Sequence, residues 1–411
     1  MTMLSDGARV LSLLRRAVRG RFAVRRLRQR LDARDPLPVG RFRIAVYFAD
    51  GVVNLYQIRQ WYRPLAELAR TWPVVVLSRN ARGALAMLED GALPVAFVPT
   101  VTDLESYLAQ EDIRIVLYVN QNTRNFQMFR YGRRWHVFIN HGESDKMYMT
   151  TNQFKAYDYA LIAGDAARER LSRALWDYDL DRRTIPIGRP QADHFTGSLP
   201  YPLDARTVVL YAPTWEGDRP AAAYGSILSH GEALAAAVLA SPRHRLVYRP
   251  HPRSGVVDAA YGAANKRIVA AIAAANEADP TAHHVYDESP ELGWQLSSPD
   301  LAIVDISAMV YDRLAANKPL LVTRPVSAEA EIDAGGYLSD AEWLTAERAG
   351  AILDETERVL SDPGSVERLA GWVRHYFGDT SPGAATARFH AAIERLMGEW
   401  DRCAAAEQDG S

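Results

Sequence analysis

Short apolar runs alternate with longer segments of mixed polarity along most of the chain. Runs such as 42–48 (FRIAVYF) and 301–304 (LAIV) are typical of strands that are buried on both faces of a parallel sheet. The segments between them carry apolar residues at helical spacing, which predicts that helices connect the strands. Strands that alternate with helices indicate an α/β protein with doubly wound sheets.

The alternation predicts two successive units of this kind. In the first unit we expect a helix at 58–71 and strands at 42–48, 74–77, 95–98, 113–119, 136–140, 159–163 and 185–188. In the second unit we expect strands at 208–212, 245–249, 284–286, 301–304 and 320–323. The segment 197–202, which contains Gly and Pro, is typical of a linker.

Helices of the second unit are expected at 231–240, 259–277, 347–360 and 365–376. A last helix at 384–400 is expected to pack back across the first unit. These limits predict an arm at 1–35, a first Rossmann-like domain at 36–200, a second one at 201–385 and a C-terminal helix at 386–411. Two such domains would face each other across a cleft.

The first 41 residues differ from the rest of the chain in charge, because they contain 11 Arg and no Lys. Apolar residues recur among the arginines at roughly helical spacing, namely Leu11, Leu14, Val18, Phe22 and Leu31. A basic amphipathic arm of this kind is suited to an anionic membrane surface. We therefore expect a peripheral protein on the inner face of the cell membrane. The alternatives are a solvated arm and an arm that packs against a partner.

Composition sets limits on the class of protein. A chain of 411 residues is long enough for two domains, and a net charge of -2 gives no overall field that favours nucleic acid. The single cysteine, Cys403, excludes an intrachain disulfide and a multi-cysteine metal site, and a reducing cytoplasm is its natural setting. No apolar run has the length of a transmembrane helix, and the run 10–14 is too short for a secretory signal.

The segment 300–325 predicts a strand, a turn, a helix and a second strand. Ser307 is expected to cap a helix that begins at Ala308. The turn would lie at the carboxyl end of a strand and the amino end of a helix, where open α/β sheets bind anions. Asp312, about one turn into the helix, would face the same crevice. The alternative is that Asp305, Ser307 and Asp312 only cap and solvate the helix.

Another predicted strand, 136–140, is followed at once by His141 and Gly142. A histidine at a strand end faces the cleft in such a fold, and its pKa near neutrality suits a general base that removes a hydroxyl proton. Lys146, a few residues further on, is a candidate phosphate ligand. A loop histidine that caps a helix is the alternative.

Two strand ends of the second unit also carry candidate residues. Thr214 and Trp215 follow the strand 208–212, where the hydroxyl can donate to a phosphate and the indole can line a pocket. Arg249 and His251 are cationic candidates for a diphosphate, and prolines on both sides of His251 fix its backbone. A turn with a packed Trp is the alternative for the first pair.

Several familiar motifs are absent from the sequence. It contains no GxxxxGK[ST], no HExxH and no GxGxxG after the first strand. The pair His283-His284 is more typical of a strand edge than of a metal site. We therefore expect neither a metal nor a cofactor.

Four sequence motifs follow one another along the chain. They are, in order, an HG…K loop, a Y-A-P-T-W strand end, an R-P-H-P strand end and a D-x-S-x-x-x-x-D-x-x-x-x-x-K-P segment. Together they resemble the CDP-glycerol glycerophosphotransferase family, the teichoic-acid primases and polymerases of bacterial cell walls. The resemblance covers about residues 130–390 and implies a GT-B-type fold. It also implies transfer of glycerol phosphate, or a related polyol phosphate, from a CDP-alcohol to a hydroxyl of a lipid-linked or glycan acceptor, with release of CMP.

The resemblance also implies roles for individual residues. His141 would be the base, and His251 would steady the diphosphate of the donor. The positions that would bind the donor are Thr214, Arg249, Ser307 and Asp312, with Lys146, Trp215 and Ala308 beside them.

Three positions depart from the pattern of the family. Glu216 and Gln191 stand where the family commonly has Arg, and Ala308 stands in place of a second Ser. Because two positive charges of the family pattern are missing, the identity of the donor alcohol is not specified. A glycosyltransferase that uses a sugar nucleotide and a catalytically weak nucleotide-binding homologue are the alternative functions.

Overall fold

The computed structural model describes residues 20–143, 150–290, 292–332 and 335–409. The first sheet consists of β1 (Ile44–Phe48), β2 (Val74–Ser78), β3 (Val95–Phe97), β4 (Ile115–Tyr118), β5 (Trp135–Phe138), β6 (Tyr159–Ile162) and β7 (Thr184–Pro186). All neighbours are parallel, in the order β3-β2-β1-β4-β5-β6-β7.

The second sheet is also parallel throughout. Its strands are β8 (Thr207–Ala212), β9 (His244–Tyr248), β10 (Val285–Tyr286), β11 (Leu301–Val304), β12 (Leu320–Thr323) and β13 (Trp343–Leu344), in the order β10-β9-β8-β11-β12-β13. The predicted class, two doubly wound parallel sheets, is confirmed. The short strand β13 is an addition to the prediction.

Helices connect the strands and cover both faces of each sheet. They are α1 (20–32), α2 (Leu55–Arg59), α3 (Tyr62–Leu68), α4 (Ala81–Asp90), α5 (Val101–Gln110), α6 (Asp165–Ala174), α7 (Leu180–Arg183), α8 (Glu232–Leu239), α9 (Ala259–Ala278), α10 (Trp294–Ser297), α11 (Ala308–Ala315), α12 (Ile352–Ser361), α13 (Pro363–Phe377) and α14 (Ala384–Asp409).

The strand β1 shows why the apolar runs are nearly continuous. Ile44 and Val46 are buried in a core on one face of the first sheet. Ala45 and Tyr47 are buried in a second core on the other face. Because successive side chains of a strand point to opposite faces, a strand covered on both sides must be apolar at every position.

The predicted helix at 58–71 is wrong in one respect, because α2 and α3 are separate helices. Trp61 precedes α3, and Pro64 is therefore the third residue of the new helix. A proline lacks the backbone N–H and is tolerated only in a first turn, where that N–H has no helical partner. Pro64 thus explains why one long helix is not formed.

The last helix packs back on the first sheet, as predicted. Phe389, Ile393 and Leu396 of α14 are buried in the same core as the β1 side chains. The carboxylate of Asp193, in the segment between the two sheets, accepts hydrogen bonds from the backbone N–H and the hydroxyl of Thr386, both at 2.7 Å. This contact fixes the first turn of α14 where the chain returns to the first domain.

The described part of the N-terminal arm packs on the first domain. Leu27 of α1 is fully buried in its core, and Arg26 forms an ion pair of 3.0 Å with Glu89 of α4. Phe22, in contrast, is 68% exposed. Residues 1–19 lie outside the described part of the chain. Among the helices that are described, none has the length and apolar character needed to cross a membrane.

Candidate active site at the carboxyl edges of the two sheets

An ion pair joins the two domains. Arg189 follows β7 of the first sheet, Asp312 lies in α11 after β11 of the second, and their side chains are paired. These side chains are only 7% and 9% exposed. Because Arg189 follows β7 and α11 follows β11, the pair links the segments that leave the carboxyl ends of these two strands.

The glycine before Arg189 makes this approach possible. Gly188 has a φ of +73°, which side chains other than glycine rarely adopt. A Cβ at this position would lie 2.2 Å from Nη2 of Arg388 and 3.0 Å from the carbonyl oxygen of Phe377. Only glycine therefore lets the chain turn here and direct residue 189 towards α11.

His141 lies in the turn after β5, at the carboxyl edge of the first sheet. Its Nδ1 is 3.0 Å from the carbonyl oxygen of Val119, which can only accept, so Nδ1 carries the proton. The turn is held from two sides. Asn140 has a φ of +54° and accepts the N–H of His141 at 2.8 Å, while the Trp61 indole donates to the carbonyl oxygen of Asn140.

The surroundings of His141 favour its neutral form. Burial lowers the pKa of the ring, the hydrogen bond to Val119 opposes this, and the positive charge of Arg189 lowers the pKa further. Tyr56 of α2 packs edge-on against the ring, with 5.8 Å between centroids. In the neutral ring Nδ1 is protonated and Nε2 has the lone pair, which is the form that a general base needs.

A polar network beside His141 was missed by sequence reasoning. Asp50, after β1, accepts hydrogen bonds from the side-chain amides of Asn54 (2.9 Å) and Asn120 (2.8 Å). Asn120, after β4, also donates to Oε1 of Gln57 at 2.7 Å. The available signal was positional, since Asp50 and Asn120 each follow a predicted strand closely.

In the second domain a buried carboxylate organises three strand ends. Asp305, directly after β11, accepts from the backbone N–H groups of Thr214 (2.7 Å) and Ser226 (3.1 Å) and from the hydroxyl of Thr323 (2.5 Å). Burial raises its pKa to about 6, and these hydrogen bonds oppose the rise. Asp305 thereby fixes the backbone at Thr214, which was predicted as a donor-binding position.

His251 lies after β9 and has the opposite protonation to His141. Its Nδ1 is 3.1 Å from the backbone N–H of Arg253, which can only donate, so Nδ1 accepts and Nε2 carries the proton. Its own backbone N–H donates to the carbonyl oxygen of Pro213 at 3.1 Å. Burial lowers the pKa of the ring, the charge of Arg253 lowers it further, and Glu216 opposes both.

Arg249 is engaged with the loop after β10. Its guanidinium is paired with Asp287 and donates to the hydroxyl (3.1 Å) and the carbonyl oxygen (2.8 Å) of Ser289. The sequence could not indicate these partners, because they lie about 40 residues further along the chain. A direct role of Arg249 at the donor stays a prediction.

Glu216, the departure from the family pattern after Trp215, has a clear structural partner. Its carboxylate accepts from the backbone N–H groups of Gly255 (3.0 Å), Val257 (2.7 Å) and Asp258 (3.0 Å). Burial would raise its pKa, but these donors hold the pKa below the ordinary value. The acid therefore secures the loop after His251. In that loop the guanidinium of Arg253 lies 3.8 Å from the centre of the Trp215 ring.

The start of α11 is as the sequence predicted. The helix begins at Ala308, and the Ser307 hydroxyl accepts the N–H of Met309 at 3.3 Å. Ala308 is exposed in the first turn. The described ranges contain no group of acidic, His or Cys side chains that could hold a metal ion. Lys146, the predicted phosphate ligand, lies outside them.

No known protein family and no curated protein matches the sequence. Solved structures do match. A variant of the wall teichoic acid polymerase TagF, soaked with CDPG, is 13% identical with a TM-score of 0.56, over 97% of this chain and 99% of that one. UDP-GlcNAc 2-epimerase from Neisseria meningitidis, bound to UDP-GlcNAc, is 12% identical with a TM-score of 0.57, over 86% of this chain and 100% of that one.

At such low identities, structural matches with these TM-scores show a shared fold and nothing more. Both neighbours share the arrangement of two parallel-sheet α/β domains, and the chain therefore has a GT-B-type fold. The expected fold is confirmed at this level. The chemistry has to be argued from the side chains at the two carboxyl edges.

Proposed function

We propose that the protein transfers a phosphoalcohol group from a CDP-alcohol to a hydroxyl of a lipid-linked or glycan acceptor. Nε2 of His141 takes the proton of the acceptor hydroxyl, whose oxygen attacks the β-phosphorus of the donor. The bond between this phosphorus and the bridging oxygen breaks, and CMP leaves with that oxygen. The product is a phosphodiester between the acceptor and the alcohol.

The observation that carries this proposal is the opposite protonation of two histidines, one from each domain. His141 presents a lone pair at Nε2, while His251 presents an N–H at Nε2. Transfer of a phosphoryl group to a hydroxyl needs an acceptor for the hydroxyl proton and donors for the charge on the diphosphate. The two rings supply one of each.

The donor is proposed to lie on the second domain. Ser307 and the exposed Ala308 lie at the amino end of α11, shortly after β11, and the amino end of a helix attracts a phosphate. Thr214 and Trp215 follow the neighbouring strand β8. We assign these residues to donor binding, with His251 at the diphosphate. Arg249 would act by holding the loop after β10.

The comparisons support a nucleotide donor. One neighbour is a wall teichoic acid polymerase whose crystals were soaked with CDPG, and the other was bound to UDP-GlcNAc. We extend this to a role in the synthesis of a cell-wall or surface polymer. The arginines of α1 and of the preceding residues would bring the protein to the anionic inner face of the cell membrane.

A donor panel tests the proposed reaction. Purified protein is incubated with a lipid-linked or glycan acceptor and CDP-glycerol, CDP-ribitol, or UDP-sugars, and the released nucleotides are separated by chromatography. We expect CMP from at least one CDP-alcohol and no UDP from the sugars, with CMP release lowered about 10²–10⁴-fold in His141→Ala. Release of UDP alone would replace the proposal with glycosyl transfer.

A further inference from the structure

Arg189 contacts three elements at the junction of the domains. Its guanidinium is paired with Asp312 of α11, and its Nη2 lies 3.5 Å from Oε1 of Gln60, between α2 and α3. A Cβ placed on Gly142 would be 3.6 Å from its Nη1, so the same group lies against the turn that carries His141. One side chain therefore touches the turn of the proposed base and the helix of the proposed donor site.

We propose that Arg189 is a positioning residue, which fixes the turn of His141 against helix α11 through its ion pair with Asp312. This inference rests on the proposed function and assigns Asp312 a different task from direct donor binding. The side chain of Asp312 is buried against Arg189, so its carboxylate forms part of the contact between the two domains.

The chemistry of the pair suits this task. A buried ion pair contributes little to stability by itself, but loss of one partner leaves a buried charge without compensation. Burial raises the pKa of Asp312, and Arg189 opposes that rise. The planar guanidinium can engage a carboxylate and a second group at the same time, which an ammonium cannot do with the same geometry. The geometry of the contact is therefore specific for arginine.

The positive charge of Arg189 also lowers the pKa of the His141 ring. Among the described residues, the titratable and charged groups around the ring are Tyr56 of α2 and Arg189 itself, with Asp312 of α11 behind Arg189 and Asp50 in the adjacent polar network. Glu143, in the same turn, is paired with Arg170 of α6. Removal of the positive charge of Arg189 should therefore raise the pKa of His141.

The test separates positioning from folding by removing both partners together. Arg189→Met/Asp312→Leu leaves no unpaired charge, and its melting temperature should remain near that of the wild type. We expect turnover to fall about 10²-fold, as for other small displacements of catalytic groups, with donor affinity largely retained. The acid limb of the pH profile of kcat/KM should move to higher pH.

Arg189→Lys separates geometry from charge. It keeps the positive charge but not the planar fork, so we expect the pKa of His141 to be nearly unchanged while turnover falls. Arg245→Met is the matched control, because Arg245 is a fully buried arginine at the amino end of β9, away from the carboxyl edges. This control should change thermal stability but not the pH profile.

A measurement without turnover keeps this inference distinct from the proposed function. The pKa of His141 is followed by NMR of the histidine rings, assigned with His141→Gln. If the wild type releases no CMP from any donor, the proposed function fails, yet a higher pKa of His141 in the double variant would still place Arg189 at the ring. Wild-type turnover and an unchanged pKa of His141 in a folded double variant would overturn the inference.

Discussion

His141 and His251 hold their ring protons on opposite nitrogens. Nδ1 of His141 donates to the carbonyl oxygen of Val119 at 3.0 Å, whereas Nδ1 of His251 accepts the N–H of Arg253 at 3.1 Å. In both cases a backbone group with a fixed role selects the tautomer. The two Nε2 atoms therefore differ in what they offer to a ligand, and substitutions at the two positions should have different effects.

The first prediction concerns His141. His141→Ala should lower turnover by about 10²–10⁴-fold, the usual cost of losing a general base. Donor affinity should be retained, because the proposed base acts on the acceptor. His141→Gln should not recover activity, since an amide does not take up a proton at neutral pH. Steady-state rates and calorimetry with a CDP-alcohol provide the two measurements.

The second prediction concerns His251. His251→Ala should lower turnover by about 10²–10³-fold, as expected for loss of a donor to developing charge. It should also weaken donor binding, because the diphosphate is present before and during the reaction. His251→Gln should recover part of both losses, since its amide can donate a hydrogen bond.

A third histidine serves as the control for both substitutions. His244 lies at the amino end of β9, opposite the carboxyl edge, and His244→Ala should keep wild-type turnover. Equal losses of donor affinity in the His141 and His251 variants would contradict the separate roles of the two rings.

Local features of the site could be predicted because they depend on neighbours in the sequence. The segment around Ser307 is the clearest case, as the cap and the first helical residue both agree with the prediction. The positions of His141 and His251 at strand ends could also be predicted, since a parallel sheet brings its carboxyl ends to one edge.

Contacts between distant segments could not be predicted in this way. The partner of Asp312 is Arg189, on the other domain, and nothing in a single sequence specifies how two domains dock. Glu216 was noted only as a lost cation, whereas its carboxylate holds the loop after His251. The positive charge of Arg249 predicts a diphosphate ligand. The sequence does not indicate that Asp287 is the partner of this charge.

The third prediction concerns Asp305 and pH. Its pKa is about 6 in the folded protein against 3.8 as the ordinary value, so between these pH values the folded state holds a proton that the unfolded state has lost. Stability should therefore fall as pH rises through this window, by about 3 kcal/mol at most for a shift of this size. Asp305→Asn, which cannot titrate, should lack this component.

Urea unfolding of the wild type and of Asp305→Asn at pH 4 and pH 7 measures the contribution of Asp305 to the free energy of unfolding. The amide oxygen of Asn can still accept from Thr214 and Ser226, so we expect a folded variant. The free energy of unfolding of Asp305→Asn minus that of the wild type should be larger at pH 7 than at pH 4, because only the wild type loses stability as the pH rises. The same difference in the free energy of unfolding at both pH values would contradict the prediction.

The fourth prediction concerns the membrane. Deletion of residues 1–35 is unsuitable, because it would remove Leu27 from the core. We instead propose Arg→Gln changes at three exposed arginines of α1: Arg21, Arg25 and Arg28. Each basic residue near an anionic surface contributes about 1 kcal/mol, so binding to phosphatidylserine vesicles should weaken about 100-fold.

The control is a triple variant with Arg→Gln changes at three exposed arginines outside α1: Arg219, Arg243 and Arg402. Vesicle sedimentation at two salt concentrations compares the two triple variants. The α1 variant should lose binding and the control should retain it, with circular dichroism showing that both are folded. Equal binding by both variants would remove the membrane role of α1.

The most direct test of the proposed chemistry is ³¹P NMR of the reaction mixture. The wild type, a CDP-alcohol and a lipid-linked or glycan acceptor should give the signal of CMP and one new phosphodiester signal in equal amounts, while His141→Ala should bind the donor and form both products about 10²–10⁴-fold more slowly. An unchanged donor spectrum with every CDP-alcohol, or the same conversion by His141→Ala as by the wild type, would contradict the account.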